Sequence, residues 1–213
     1  MSPTFAVNAR ARRVAGTKRT VTKAPQFSAT LKNKKIYDVV FDKKGEPLIA
    51  SYYGGRLRSY PLNEEVKQTF SKIKKHFAGD VDISVNKIDQ QKGFWHISVA
   101  YAQQPTQKFV YQVEQDTYVD LLNKAPKISP TLLGERKSVY YQAKDGVTIQ
   151  AYLTLPKVQQ GNLPTIILPH GGPWDRDTWA YSGGYFNAIA LFFADRGYAV
   201  LQPNFRGSLG FGK

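Results

Sequence analysis

The sequence predicts a mixed fold in two parts: about two blades of a partial β-propeller, then the opening strands and helix of an α/β domain. Three observations carry this. Between residues 30 and 125, short alternating segments recur with turn residues between them. Their spacing, four antiparallel strands in ~40–50 residues, is the period of a propeller blade, and equally that of a plain meander or a sandwich edge. After residue 133 the pattern changes to strand, loop, helix, strand, with continuous apolar runs of the kind found in buried parallel strands.

The first 29 residues are small, polar and basic without periodicity, and are read as a disordered lead-in. The chain has 213 residues and a formal net charge of +14, but residues 1–37 hold nine Lys/Arg and no acid, leaving 21 basic against 16 acidic residues in the remainder. A basic tail binds phosphates without sequence preference, and no nucleic-acid-binding motif accompanies it. No specific nucleic-acid partner is therefore expected.

From Ile36 the pattern is β. IYDVVF (Ile36–Phe41) ends at the turn DKKGEP, PLIASYY (Pro47–Tyr53) follows, and Gly54-Gly55 turn into RLRSY (Arg56–Tyr60). Pro61 to Phe77 breaks the alternation. Asn63 reads as an N-cap, Glu64 and Glu65 lie in the first turn, and Val66, Phe70, Ile73 and Phe77 fall on one helical face that Gly79 closes. Strands resume at Val81–Ile88, Gly93–Ala102, Lys108–Glu114 and Thr117–Leu122. In the second of these, Trp95, Ile97, Val99 and Tyr101 share a face and His96 takes the other.

Residues 124–133, with Pro126 and Pro130, read as a linker, so the partial propeller is assigned to 30–130 and the α/β part to 131–213. Ser138–Pro156 is a hairpin around Asp145-Gly146. Leu163–Pro169 reads as a strand buried on both faces. Phe186–Arg196 is a helix with Phe186, Ile189, Ala190 and Phe193 on one face and Gly197 as its stop. Tyr198–Asn204 is another buried strand, and RGSLGFGK a glycine-rich loop.

Several chemistries are excluded early. There is no cysteine, so neither disulfides nor thiolate catalysis belong to this chain. Apolar runs fall far short of the ~20 residues a membrane helix needs, and no signal-peptide pattern opens the sequence. The three scattered histidines have no metal-ligand spacing, and no cofactor motif is present.

The hairpin DGVTIQAYLTLP, the loop ILPHGGPWDRDTW, the helix end ADRGYAVLQPNFRGS and the final GFGK, in that order and spacing, carry a resemblance. The stretch from Ser138 onward resembles the start of the catalytic domain of the prolyl oligopeptidase family of serine peptidases, in its acylaminoacyl-peptidase and dipeptidyl-peptidase branch. Upstream, YDVVFDKKGEPLIASYY and DVDISV look like the last blades of that family's propeller. The resemblance implies an α/β-hydrolase fold, acyl transfer by a Ser-Asp-His triad, and short peptides as substrates. In that fold the nucleophile sits on a G-x-S-x-G elbow, followed in the chain by the acid and the histidine.

No such elbow occurs here. Ser208 has Arg206 two residues before it and Ser182 has Ala180, so both are read as loop residues. The triad is accordingly expected beyond residue 213, the chain is expected to be a fragment that is inactive alone, and His170 is not the triad histidine. What remains is the oxyanion arm. Acyl transfer places charge on the former carbonyl oxygen, and a preorganised N–H donor there is worth about 3–4 kcal/mol. The resemblance assigns that role to Gly172, with Gly171 beside it, and offers the Tyr181 hydroxyl as a second candidate. A tight turn without chemistry, and wall packing by Trp174, Trp179 and Tyr181, account for the same residues. His170, Trp174, Arg176 and Asp177 are expected to shape the loop, the last two as a pair. A non-catalytic binding module and an esterase of the same fold are the alternative functions.

Overall fold

A computed structural model describes residues 36–121, 134–159, 161–172, 174–181 and 185–211. The lead-in, the 124–133 linker and Ser182 lie outside these residues. The first sheet is antiparallel, in the order β1 (Ile36–Phe41), β2 (Pro47–Tyr53), β3 (Leu57–Pro61). Its first turn closes because Asp42 Oδ1 accepts from the backbone N–H of Lys44 at 2.8 Å and Glu46 at 2.7 Å, while Gly45 takes φ 85°.

Helix α1 (Glu64–His76) begins where the cap residue was expected: Asn63 Oδ1 accepts from Val66 N–H at 2.9 Å. Its cap lies two residues before Gly79. Phe77 is the C-cap, its N–H bonded to Ile73 O, and Gly79, at φ 120°, turns the chain toward the next strand. Val66, Phe70 and Ile73 are buried, as their spacing predicts.

The second sheet is a four-stranded meander: β4 (Asp82–Asp89), β5 (Phe94–Ala100), β6 (Gln107–Gln112) and β7 (Thr117–Asp120). Trp95, Ile97 and Val99 of β5 turn their side chains into one core with Leu48 and Ile49 of β2 and the inner face of α1. Each such side chain, fully buried, contributes about 1.5–3 kcal/mol of apolar transfer. Both sheets and the helix thus share one apolar interior.

The third sheet has the order β10-β11-β9-β8, built from β8 (Arg136–Gln142), β9 (Thr148–Thr154), β10 (Thr165–Ile167) and β11 (Ala199–Asn204). β8 and β9 form the expected hairpin, with Gly146 at φ 81° in its turn. β10 runs parallel to β11 and is joined to it through helix α2 (Tyr185–Asp195). Two expectations fail here. β10 is not buried on both faces: Ile167 is 66% exposed, because the strand is three residues long and stands at the sheet edge. The inward face of α2 is Asn187, Ala190, Leu191 and Ala194, not Phe186, Ile189, Ala190 and Phe193. Only Ala190 is common to the two sets; small residues and a hydrogen-bonded asparagine sit against the sheet, and Phe186, Ile189 and Phe193 stay half-buried at its flanks.

The two regions meet at the β2–β3 turn. Tyr152 Oη donates to Gly55 O at 2.9 Å, Arg176 Nη2 donates to Gly54 O at 3.3 Å, and the Arg56 guanidinium lies 3.2 Å from the centre of the Trp179 ring. Gly55 is needed for this approach, since a Cβ there would run into Ser138 Oγ.

Candidate active-site loop

The loop leaving β10 carries the glycine pair. It is anchored first at His170, which is buried and stacked on Phe205, with ring centres 4.4 Å apart. Its Nδ1 lies 2.6 Å from Gly171 O and its Nε2 lies 2.7 Å from Ser208 Oγ. Gly171 and Gly172 are both exposed. Gly172 adopts φ 138°, where a side chain is strained, and a Cβ would come within 2.9 Å of Trp174 N. Glycine at 172 is therefore a requirement of the backbone path, whatever chemistry the loop serves.

Beyond the glycines the loop is fastened from below. The carboxamide of Asn204 clamps the backbone of Asp177, accepting its N–H at 2.8 Å and donating to its carbonyl at 3.1 Å. Asn204 Nδ2 also donates to Gln150 Oε1 at 2.5 Å. Gln202 Nε2 donates to Asp177 Oδ1 at 3.1 Å. Asp177 Oδ2 is the one buried side-chain polar atom with no hydrogen-bond partner among the described residues. Burial pushes this carboxyl above its ordinary value, opposed chiefly by the charge of Arg136.

Arg136 is the centre of the floor. It is 4% exposed, yet all of its nitrogens find acceptors: Nε on Trp179 O at 3.2 Å, Nη1 on Thr154 Oγ1 at 2.7 Å and Gln202 Oε1 at 2.5 Å, and Nη2 on Thr178 O at 3.1 Å and Asn187 Oδ1 at 3.3 Å. Burial pulls its guanidinium down to about 10, so it stays cationic at neutral pH. Gln202 links the cation to the Asp177 carboxylate without direct contact between the two. In return, Trp179 Nε1 donates to Arg136 O at 2.9 Å. A buried charge is tolerable only when paired and hydrogen-bonded in this way.

The predicted loop-shaping residues are thus redistributed. His170 bonds to Gly171 O and Ser208 Oγ, and the Asp177 backbone is held by Asn204. The expected Arg176–Asp177 side-chain pair is not formed: Arg176 Nε reaches the Asp177 backbone carbonyl at 3.3 Å, and its guanidinium spans Gly54, Leu209 and the rings of Tyr53 and Phe211. The Asp177 carboxylate instead faces inward, toward the buried cation. Trp174 is 78% exposed and packs no wall, whereas Trp179 is 2% exposed and does. Tyr181 is buried, its N–H donated to Tyr101 O at 2.6 Å. Among the described residues no group of three or more His, Asp or Glu could hold a metal, and no helix is long and apolar enough to cross a membrane.

No protein-family model matches the chain. In sequence it is 33% identical over 160 residues to dipeptidyl aminopeptidase BIII from Pseudoxanthomonas mexicana, covering 71% of this chain and 22% of that protein. It is 30% identical over 158 residues to dipeptidyl peptidase family member 6 from Caenorhabditis elegans, covering 64% of this chain and 20% of that one. In fold it is similar to prolyl oligopeptidase B from Galerina marginata, with TM-score 0.58 and 18% identity, over 89% of this chain and 25% of the other. A puromycin-hydrolysing peptidase from Mycobacterium tuberculosis gives TM-score 0.57 and 15% identity, over 87% and 29%. The chain is thus similar in sequence to dipeptidyl peptidases and in fold to members of the prolyl oligopeptidase family. It spans about a fifth of the length of the curated relatives.

Sequence reasoning missed the floor of this loop: Arg136, Gln150, Asn187, Gln202 and Asn204. A signal did exist. Gln202 and Asn204 interrupt the apolar run AVLQPN, Gln150 interrupts TIQAYL, and Asn187 interrupts YFNAIALFF. Polar side chains at inward positions of buried elements must find partners, and here the partners are one another and the loop.

Proposed function

We propose that the chain is the portion of a serine peptidase that joins the end of a propeller to the start of its α/β-hydrolase domain, and that residues 170–172 are the oxyanion arm of that enzyme. One observation carries the reading. Two exposed glycines, the second held at φ 138°, follow a buried, hydrogen-bonded histidine and precede a backbone clamped at Asp177. Preorganised backbone N–H groups aimed at a developing negative charge are what acyl transfer requires. The likeness to dipeptidyl peptidases supports the assignment.

On this reading Gly172 N–H is the donor, Gly171 lets the substrate carbonyl approach, and the Tyr181 hydroxyl is a second donor. The nucleophilic serine, its acid and its histidine belong to chain outside these 213 residues, and the substrate of the whole protein is a short peptide. Propeller strands upstream of the hydrolase region set it apart from free-standing esterases. The test is a peptidase assay with chromogenic aminoacyl and dipeptidyl amides. The 213-residue chain gives no turnover, and the same chain extended through the downstream G-x-S-x-G segment and the acid and histidine that follow it gains it. Turnover by the 213-residue chain, or a downstream reading frame without the elbow, contradicts the proposal.

A further inference from the structure

One nucleophile–base pair lies at the foot of the glycine loop, and the peptidase reading gives it no catalytic role. Ser208 Oγ lies 2.7 Å from His170 Nε2, and His170 Nδ1 lies 2.6 Å from the Gly171 carbonyl. A carbonyl oxygen only accepts, so Nδ1 carries the imidazole proton. Nε2 is then a bare acceptor, and the Ser208 hydroxyl donates to it. A serine donating to a histidine that a third group orients is the arrangement of an activated nucleophile.

The surroundings favour reaction over a mere tie. The imidazole is buried and held flat on Phe205, at an interplanar angle of 18°. The Asp177 carboxyl lies near enough to His170 for the two to interact. Ser208 is half-buried between exposed Gly207 and Leu209, open to a small reagent. Its segment is pinned by Ser208 N–H to Phe205 O at 3.0 Å and Leu209 N–H to Asp175 O at 2.9 Å.

We propose that Ser208 and His170 form an acyl-accepting dyad that takes a small acyl group from an activated aryl ester. Ser208 Oγ bonds to the ester carbonyl carbon as its proton passes to His170 Nε2. The carbon–oxygen bond to the aryl group then breaks, and the departing aryloxide takes that proton, leaving acyl-Ser208 and a neutral imidazole. More slowly, water attacks the acyl carbon as its proton passes to the same nitrogen; the bond to Ser208 Oγ breaks, Oγ takes that proton back, and the free acid leaves. The group orienting His170 is a neutral carbonyl rather than the carboxylate of a triad. Esters with good leaving groups react, and peptide amides do not. This activity is independent of the peptidase reading.

The test uses the whole chain with p-nitrophenyl acetate, read by nitrophenol release, intact mass and peptide mapping. A single acetyl group should appear on Ser208. Ser208→Ala abolishes that adduct, and His170→Gln slows its formation about hundredfold, the scale of a lost general base. Unfolding in guanidinium also removes it, which keeps the test decisive should His170→Gln fail to fold. No adduct at Ser208, or one forming equally fast in His170→Gln or in the unfolded chain, overturns the dyad. Neither outcome touches the dipeptidyl-amide assay, so failure here and failure of the peptidase reading are distinguishable.

Discussion

The two halves of this molecule are held together by different physics. In residues 36–121, two antiparallel sheets and a helix close over an apolar core, with Ile49, Ile73, Ile97, Val99 and Tyr111 at 0–1% exposure. In residues 134–211, the interior between β8, β9, β11, α2 and the glycine loop contains a cation, a carboxylate, four carboxamides and a threonine, each buried. Apolar packing is tolerant of shape and cares about volume. A polar network is all-or-none: one missing partner strands several others. The first half is therefore built to be stable, and the second to hold a loop in one conformation.

The strongest way to break the contrast is Arg136→Met. It fills similar volume but removes the donors on which Thr154, Gln202, Asn187 and two loop carbonyls depend. Loss of about 3–5 kcal/mol is expected, the scale of an orphaned buried charge network, measured by denaturant unfolding. Ile73→Ala, in the apolar half, leaves a cavity and should cost about 3 kcal/mol. Unlike Arg136→Met, it should leave hydrogen exchange in residues 177–181 unchanged. A larger loss from Ile73→Ala than from Arg136→Met erases the distinction.

How much of this was legible in the sequence follows the same divide. The strands around Trp95, Ile97 and Val99 and the face of α1 could be read because apolar periodicity reports burial directly. The Asn63 cap was equally plain. The inward face of α2 was misread because large apolar residues were assumed to point in, whereas Asn187 and three smaller residues do. Arg136 stands at the edge of a predicted hairpin among Lys137 and other polar residues, with nothing local to mark it as buried. Its five acceptors come from residues 18 to 66 positions away, contacts that exist only after folding. The glycine loop was legible as a motif, but what holds it was not.

A smaller effect sharpens the electrostatic side. Burial raises the Asp177 carboxyl above its ordinary value of 3.8, so the fold binds this proton more tightly than the unfolded chain does. Stability contributed here is present below that value and is lost as pH rises through the raised one. Asp177→Asn, a mimic of the protonated form, should match the parent chain in acid and exceed it as pH climbs out of the carboxylate range. Parallel pH profiles for the two chains would show that Asp177 is not desolvated.

The most direct measurement of the central claim, that the buried polar floor fixes the glycine loop, is residue-resolved amide exchange in Asn204→Ala. The Asn204 carboxamide holds both the N–H and the carbonyl of Asp177. Removing it should speed exchange at Asp177 about tenfold, the worth of a buried hydrogen bond, while amides of β4 and β5 keep their rates. Unchanged exchange at Asp177, or a uniform rise across both halves, would contradict the account.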